Sequence, residues 1–366
     1  MLSSHGKVNV AGGCVKKPLS EQHFYGFLQS MKKKWLIAAI VASVLILFAV
    51  IAAYQLFSAA FDNQKTVRFR ARKSWNLERL AEEMEKQAGL KNKERLIFWL
   101  KLKGYRQVKS CTIDIQPGAN INSIADLLMK NRNQTVNVTI LGSMDAQSLA
   151  RAVASKTEVN ADSFLNILKS ETGLKSYGFN DTTWAALFIP NTYNMYAATE
   201  IPDLLKRMEK EYERFWNSKR IQRSIVQKLT CKEVITLASI VTKESNKTAE
   251  YENIAGVYLN RLRKGMLLQA DPTVVFARGY TGRVWAADLK INSPYNTYIH
   301  QGLPPGPLCI PNRESIEAVL NYSSHDYLFF CAKADGSGYH SFAKTLEEHN
   351  KNAADFHRWL NEKGIK

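Results

Sequence analysis

Glu244 is the residue of this sequence to which chemistry is most readily assigned. Within LASIVTKES, Leu237, Ile240, Val241 and Glu244 fall at i, i+3, i+4 and i+7. That spacing puts the carboxylate at the C-terminal end of the apolar face of a helix. A carboxylate there is partly desolvated and lies near the negative end of the helix dipole. Both effects penalise the ionised form and raise the pKa above its ordinary value of about 4.3. A general acid working near neutral pH needs this. The same position also suits a solvated surface acid or an ion-pair partner, so position alone does not assign catalysis.

Further polar and aromatic residues follow. A second helix is expected over about 250–264, with Ile254, Val257, Tyr258 and Leu262 on its apolar side, Asn260 and Arg261 near its end, and Gly265 as its natural stop. Gln269, Asp271 and Thr273 then alternate, as they would along one side of an extended segment. Their side chains suit hydroxyl and N-acetyl groups, although turn chemistry at Asp271-Pro272 explains the same residues. The run from Ser293 to Tyr298 contains Tyr295, Asn296 and Tyr298. Its tyrosines fit either stacking on sugar faces or packing in a core. The prolines of Gly302–Pro307 fix a rigid loop. His340, after Asp335-Gly336-Ser337-Gly338-Tyr339, fits a base, a ligand or a structural histidine. No zinc-like His/Cys cluster and no phosphate-cradling glycine loop occurs, so neither a metal nor a nucleotide cofactor is expected.

The elements that would carry these residues are mixed. Residues 35–54, WLIAAIVASVLILFAVIAAY, contain one polar residue, Ser43, and at 1.5 Å per residue span about 30 Å, the thickness of a bilayer core. We expect a transmembrane helix at 35–57 after a tail at 1–34. Met31 opens a second start-like MKKK, and residues 1–30 show no periodicity and read as a disordered tail or as untranslated. Lys32, Lys33 and Lys34 favour a cytoplasmic N-terminus and translocation of everything after the span, although Lys65, Arg68, Arg70, Arg72 and Lys73 lie on the far side. Ser58-Ala59-Ala60 would serve as a cleavage site if the run were instead a signal peptide. Beyond it, strands are expected at 65–72 and 136–141, helices at 76–90, 145–153 and 204–216, a turn at Pro117-Gly118, and a terminal helix after loop-rich short strands. The five cysteines match no metal template; free thiols and a single disulfide both remain open.

At 230–350 the sequence resembles the YceG-like family of endolytic murein transglycosylases. LASIVTKES, IAGVYLNRLRKGM, LLQADPTV, SPYNTYIHQGLPPGP, DGSGYHSF and KTLEEHN appear in family order, and ALFIPNTY at 186–193 is similar to the entry into the catalytic region. Thr242 stands where many members have Glu. The resemblance implies an α+β chain with a single N-terminal membrane helix, a small LysM-like module (58–144) and a mainly helical lysozyme-like catalytic domain (145–366). It implies that Glu244 is the acid/base, with Ser245 completing a Glu-Ser pair, and that Asn260, Gln269, Asp271, Thr273, Tyr295, Asn296 and His340 line the substrate. It further implies cleavage of the MurNAc–GlcNAc β-1,4 bond without water, 1,6-anhydro ends, and glycan strands, the plasma membrane and peptidoglycan synthases as partners.

Composition excludes other classes. The 366 residues include 45% hydrophobic and 10% aromatic residues, too many for a wholly disordered chain, and one long apolar run is too few for a polytopic membrane protein. The net charge of +17 would suit nucleic acid, anionic lipid or an anionic polymer. No nucleic-acid motif accompanies it. A muramidase-type hydrolase and a non-catalytic wall-binding protein remain the rivals.

Overall fold

The computed structural model describes residues 19–131 and 135–364; Cys14 lies outside them. The chain forms two compact units. Among the described residues, one comprises 19–69, 73–108 and 113–129, and the other 70–72, 109–112, 130–131 and 135–364.

The chain begins with α1 (Leu19–Phe57), β1 (Val67–Ala71), α2 (Leu77–Ala88), α3 (Lys93–Leu102), β2 (Cys111–Ile115) and α4 (Ile121–Asn131), which make up the first unit apart from the end of β1, the start of β2 and the last residues of α4. Within α1, an 18-residue stretch of Met31–Phe57 has a mean hydropathy of 3.0 and none of it is buried, so among the described residues one helix is long and apolar enough to cross a membrane. The tail expected through residue 30 is helical from Leu19. Extending an existing helix costs far less than nucleating one, and no proline interrupts the approach to the apolar run. Arg95 caps the other end: its Nε donates to the Gln55 carbonyl at 2.7 Å and a terminal nitrogen donates to Ser58 Oγ at 2.7 Å. A cation on the last carbonyls of a helix satisfies groups that have no partner within it. The periodicity at 76–90 becomes α2, with Asn76 as N-cap, Gly89 in the left-handed region as C-cap, and Leu77, Leu80, Ala81 and Met84 buried. The β1 and β2 strands pair as a two-stranded sheet.

The second unit holds β3 (Thr135–Ile140), α5 (Ala146–Ala154), α6 (Ala161–Leu168), β4 (Asn191–Tyr196), α7 (Ile201–Phe215) and α8 (Ser218–Val226). It continues with α9 (Cys231–Glu244), α10 (Tyr251–Arg263), α11 (Asp271–Arg278), α12 (Arg313–Leu320), β5 (Phe329–Ala332), β6 (His340–Ala343) and α13 (Leu346–Glu362). The β3 and β4 strands run antiparallel, from Thr135 opposite Tyr196 to Ile140 opposite Asn191. The β5 and β6 strands form an antiparallel hairpin on which α13 packs. The whole is helix-rich α+β.

Helix α9 is the axis of this unit. Every residue from Val234 to Thr242 is buried, and α10, α11 and α12 pack around it. A helix apolar on nearly all sides is stable only inside a core. Its start is fixed by a capping box, with Glu233 N–H donating to Thr230 Oγ1 and Thr230 N–H donating to the Glu233 carboxylate. Its few polar residues have assigned partners. Ser239 Oγ accepts from Leu308 N–H at 2.9 Å, and Thr242 Oγ1 accepts from Asn312 N–H at 3.0 Å while meeting Ser315 Oγ at 2.7 Å. These bonds pin the loop that follows the proline run along the helix. Gly306 lets that loop approach closely, since a Cβ there would lie 2.0 Å from the Thr182 carbonyl oxygen.

The extended segment expected for 269–273 is not found. Asp271 and Pro272 open α11, the position where a fixed proline φ and a missing N–H cost nothing. Gln269 turns the chain into it with φ +50°. Cys111, Cys231, Cys309 and Cys331 are free thiols. Burial pushes Cys111 and Cys309 up to about 11.

Candidate active site

The pattern that puts Glu244 on the apolar face of α9 also ends the helix there. The next residue, Ser245, is extended and terminates it. Glu244 is half-buried, and its carboxyl opens on a cavity of about 820 Å³ also lined by Lys243, Asp271, Phe276, Tyr280 and Arg283. Burial pushes the carboxyl up to about 7. The hydrogen bond from Tyr258 opposes that rise, the charge of Asp271 adds to it, and Arg261 opposes it. Glu244 is therefore a carboxylic acid that holds its proton near neutrality and can release it to a partner.

Helix α10 supplies what surrounds this acid. Tyr258 lies one turn before Arg261, is buried, and donates its hydroxyl to Glu244 Oε1. Burial drives the Tyr258 hydroxyl well above its ordinary pKa, so it remains a donor. Arg261 is buried too; its guanidinium donates to the carbonyls of Leu328 at 2.6 Å and Leu268 at 2.9 Å and to Gln269 Oε1 at 3.1 Å. Gly256 allows the segment before β5 to cross α10, because a Cβ would sit 2.5 Å from His325 Nε2. Helix α11 brings Asp271 to its first position, where Tyr298 donates to Asp271 Oδ1 at 2.6 Å. Burial, then Asp271 itself, raise the Tyr298 hydroxyl above its ordinary pKa. The result is a linked set of Glu244, Tyr258, Arg261, Asp271 and Tyr298. Sequence reasoning reached the two acids. It placed Tyr258 in the core for its spacing and left Tyr298 open between sugar stacking and core packing, since no local pattern signals its pairing with Asp271.

The other residues expected at the site serve varied roles. Ser245 is buried beside Glu244, and its Oγ accepts from Lys247 N–H at 3.0 Å. Gln269 reaches Arg261. Asn260 donates to the carbonyls of His325 and Tyr327, holding the segment that leads into β5. Thr273 is fully buried and bonds Ala270 O and Thr297 Oγ1. Asn296, also fully buried, donates to the carbonyls of Leu289 and Ile291. Tyr295 packs on Phe276, with ring centroids 4.5 Å apart. His340 is paired with Glu250, Nδ1 to Oε2 at 3.0 Å, and stands edge-on to Phe330, which in turn stands edge-on to Tyr258. The cavity thus gathers Glu244 and Asp271, while Asn260, Thr273, Asn296 and His340 direct their side-chain bonds into the scaffold around it. Among the described residues no group of three or more His, Cys, Asp or Glu could hold a metal ion.

A proton-holding carboxyl at the end of a buried helix, with a second carboxyl lining the same cavity, can exchange a proton with a ligand, and it sits on a helix-rich α+β scaffold. Residues 69–355 match the model of the YceG-like family, and the chain belongs to that family. It is 29% identical over 326 residues to an endolytic murein transglycosylase of Bacillus subtilis, covering 82% of this chain and 88% of that protein. An endolytic murein transglycosylase of Streptococcus pneumoniae is 27% identical over 318 residues, covering 76% of this chain and 56% of the relative. The crystal structure of a yceG-like protein from Listeria monocytogenes superposes with a TM-score of 0.51 at 25% identity, over 79% of this chain and 99% of that one.

Proposed function

We propose that this chain is an endolytic lytic transglycosylase of peptidoglycan, a lyase, with Glu244 as its single acid/base. The observation that carries the reading is the Glu244 carboxyl, held protonated near neutrality at a cavity of about 820 Å³. The activity for which the relatives in Bacillus subtilis and Streptococcus pneumoniae are named supports it. As acid, Glu244 gives its proton to the oxygen of the MurNAc–GlcNAc β-1,4 bond, which breaks. The resulting carboxylate takes the proton of the MurNAc C6 hydroxyl as that oxygen bonds to C1, closing a 1,6-anhydro ring. Water takes no part, so a second carboxylate is not required as nucleophile or base. Tyr258 steadies the carboxylate between the two steps. Asn260, Gln269, Asp271, Thr273, Tyr295, Asn296 and His340 hold or shape the substrate cleft, and Ser245 fixes the chain as it leaves the acid.

In this reading α1 is a single-pass anchor in the plasma membrane with the rest of the chain outside the cytoplasm. Residues 58–144 serve as a LysM-like module and 145–366 as a lysozyme-like catalytic domain. The substrate is nascent glycan, cleavage ends strand elongation, and peptidoglycan synthases are the partners; nucleic acid is not. The test is digestion of purified sacculi followed by mass spectrometry. The wild-type chain is expected to release anhydro-MurNAc ends, and Glu244→Gln is expected to lose at least about 10²-fold in rate while remaining folded. Reducing MurNAc ends would point instead to a hydrolase using Asp271, and full activity in Glu244→Gln would remove Glu244 from the chemistry.

A further inference from the structure

One wall of the Glu244 cavity is built by a loop that the mechanism above does not use. Residues 279–287 follow α11 without regular strand or α-helix, yet a single side chain organises them. Arg278, with its side chain 2% exposed, donates from Nε to Tyr280 O at 3.0 Å and from a terminal nitrogen to Arg283 O at 2.8 Å. It also donates to Gly282 O and pairs with Asp288 Oδ2 at 2.7 Å. Asp288 closes the arrangement by accepting from Trp285 N–H at 2.9 Å. A buried guanidinium spending its donors on three carbonyls and a carboxylate of one loop holds that loop in one shape.

The loop presents aromatic surface to solvent at the cavity. Tyr280 is 62% exposed although it lines the cavity, and Arg278 lies over one face of its ring at 4.6 Å. A large aromatic held out of the core, backed on one face and open on the other, gains nothing for folding from its exposed face. It is suited to a ligand with an apolar face and polar edges, as a pyranose ring has.

We propose that loop 279–287 is a glycan-binding wall of the Glu244 cavity, in which the open face of Tyr280 stacks on a sugar ring and Arg278 is the positioning residue that holds it there. This rests on the reading of the site as glycan-cleaving, and it adds where the strand lies. Stacking through a ring face depends on the ring and not on the hydroxyl, and it contributes to binding rather than to proton transfer.

The test uses the full chain in detergent and a peptide-free tetrasaccharide of alternating GlcNAc and MurNAc, titrated at equilibrium in the Glu244→Gln background. Tyr280→Ala is expected to weaken binding about tenfold, roughly 1.4 kcal/mol, and Tyr280→Phe to bind like the parent. Equal affinity for Tyr280→Ala, or a loss in Tyr280→Phe as large as in Tyr280→Ala, would overturn the stacking assignment. With Glu244 intact, Arg278→Ala should raise KM about tenfold with kcat held within about twofold, and should add little once Tyr280 is already Ala. A fall in kcat at constant KM would overturn the positioning role. If Glu244→Gln cleaves the tetrasaccharide, the catalytic reading fails on its own; the wall is then judged by the same Tyr280 comparison on a GlcNAc tetramer.

Discussion

At the scale of single residues, the acidity of one carboxyl depends on what surrounds it. Burial raises Glu244 to about 7, while the Tyr258 hydroxyl stabilises the ionised form. Tyr258→Phe removes that donor, so the carboxyl should rise further. The alkaline limb of the rate profile, where the acid loses its proton, is therefore expected to move to higher pH, with a lower maximum because the carboxylate between the two steps loses its hydrogen bond. A pH series of initial rates checks both. The raised pKa also has a stability consequence. Between the unfolded value near 4.3 and the folded value of about 7, the folded chain holds a proton that the unfolded chain releases. Stability from this group is fully present at acid pH and is lost as pH rises through that window. Glu244→Gln has no such loss, so at pH 8 it should be more stable than the parent by about 1–3 kcal/mol, the range allowing for partial solvent access; denaturant melts at pH 5 and 8 show whether the gap opens with pH. Glu244 was legible because its neighbours repeat with helical period. Thr273 and Asn296 were harder to place for a physical reason: short polar side chains suit a ligand's hydroxyls and a loop's own backbone equally, and here their hydrogen bonds go to backbone carbonyls.

At the scale of elements, helix α9, which carries Glu244, is held by its contacts with a loop. Its polar residues Ser239 and Thr242 bind Leu308 and Asn312 of the segment after the proline run. That segment runs close to Thr182 through Gly306. Gly306→Ala places a methyl 2.0 Å from a backbone oxygen that cannot swing away. The expected cost is about 1–3 kcal/mol, as for other overpacked sites, read as a lowered Tm, with the cleavage rate falling as the loop shifts along α9. The helices α2, α5, α9 and α10 could be read from periodicity and caps, since both signals are local. The pairing of β3 with β4 could not, because more than fifty residues separate the partners and Asn191–Tyr196 carries no clean alternation. The start of α11 was mistaken for extended chain because three alternating polar residues are too few to outweigh a proline at the first turn.

At the scale of the whole molecule, the basic excess and the apolar helix belong to one argument. Residues 1–57 hold six lysines against Glu21, three of them abutting the span, and the rest of the +17 is spread over the remaining chain. Such a distribution neither concentrates a nucleic-acid face nor prevents export, because long C-terminal domains translocate largely regardless of charge. The Ser58-Ala59-Ala60 segment bears on whether α1 would stay attached as an anchor or be cut away as a signal. Ala60 is buried, donates its N–H to Ala119 O at 2.9 Å and accepts from Lys91 N–H at 2.9 Å. Ala59 bridges Asn120 and Phe61 bridges Leu90. Cutting there would free the segment that begins the first unit's packing and remove the helix end that Arg95 caps. We therefore expect the chain to sediment with membranes with α1 intact, to resist extraction by alkaline carbonate, and to be released by detergent. Protease added to intact spheroplasts should digest the chain beyond Phe57 and leave a small protected N-terminal fragment. A soluble chain whose first residue is Phe61 would show that α1 acts as a cleaved signal, and full protection from protease would place the Glu244 cavity on the cytoplasmic side, where no wall glycan reaches it.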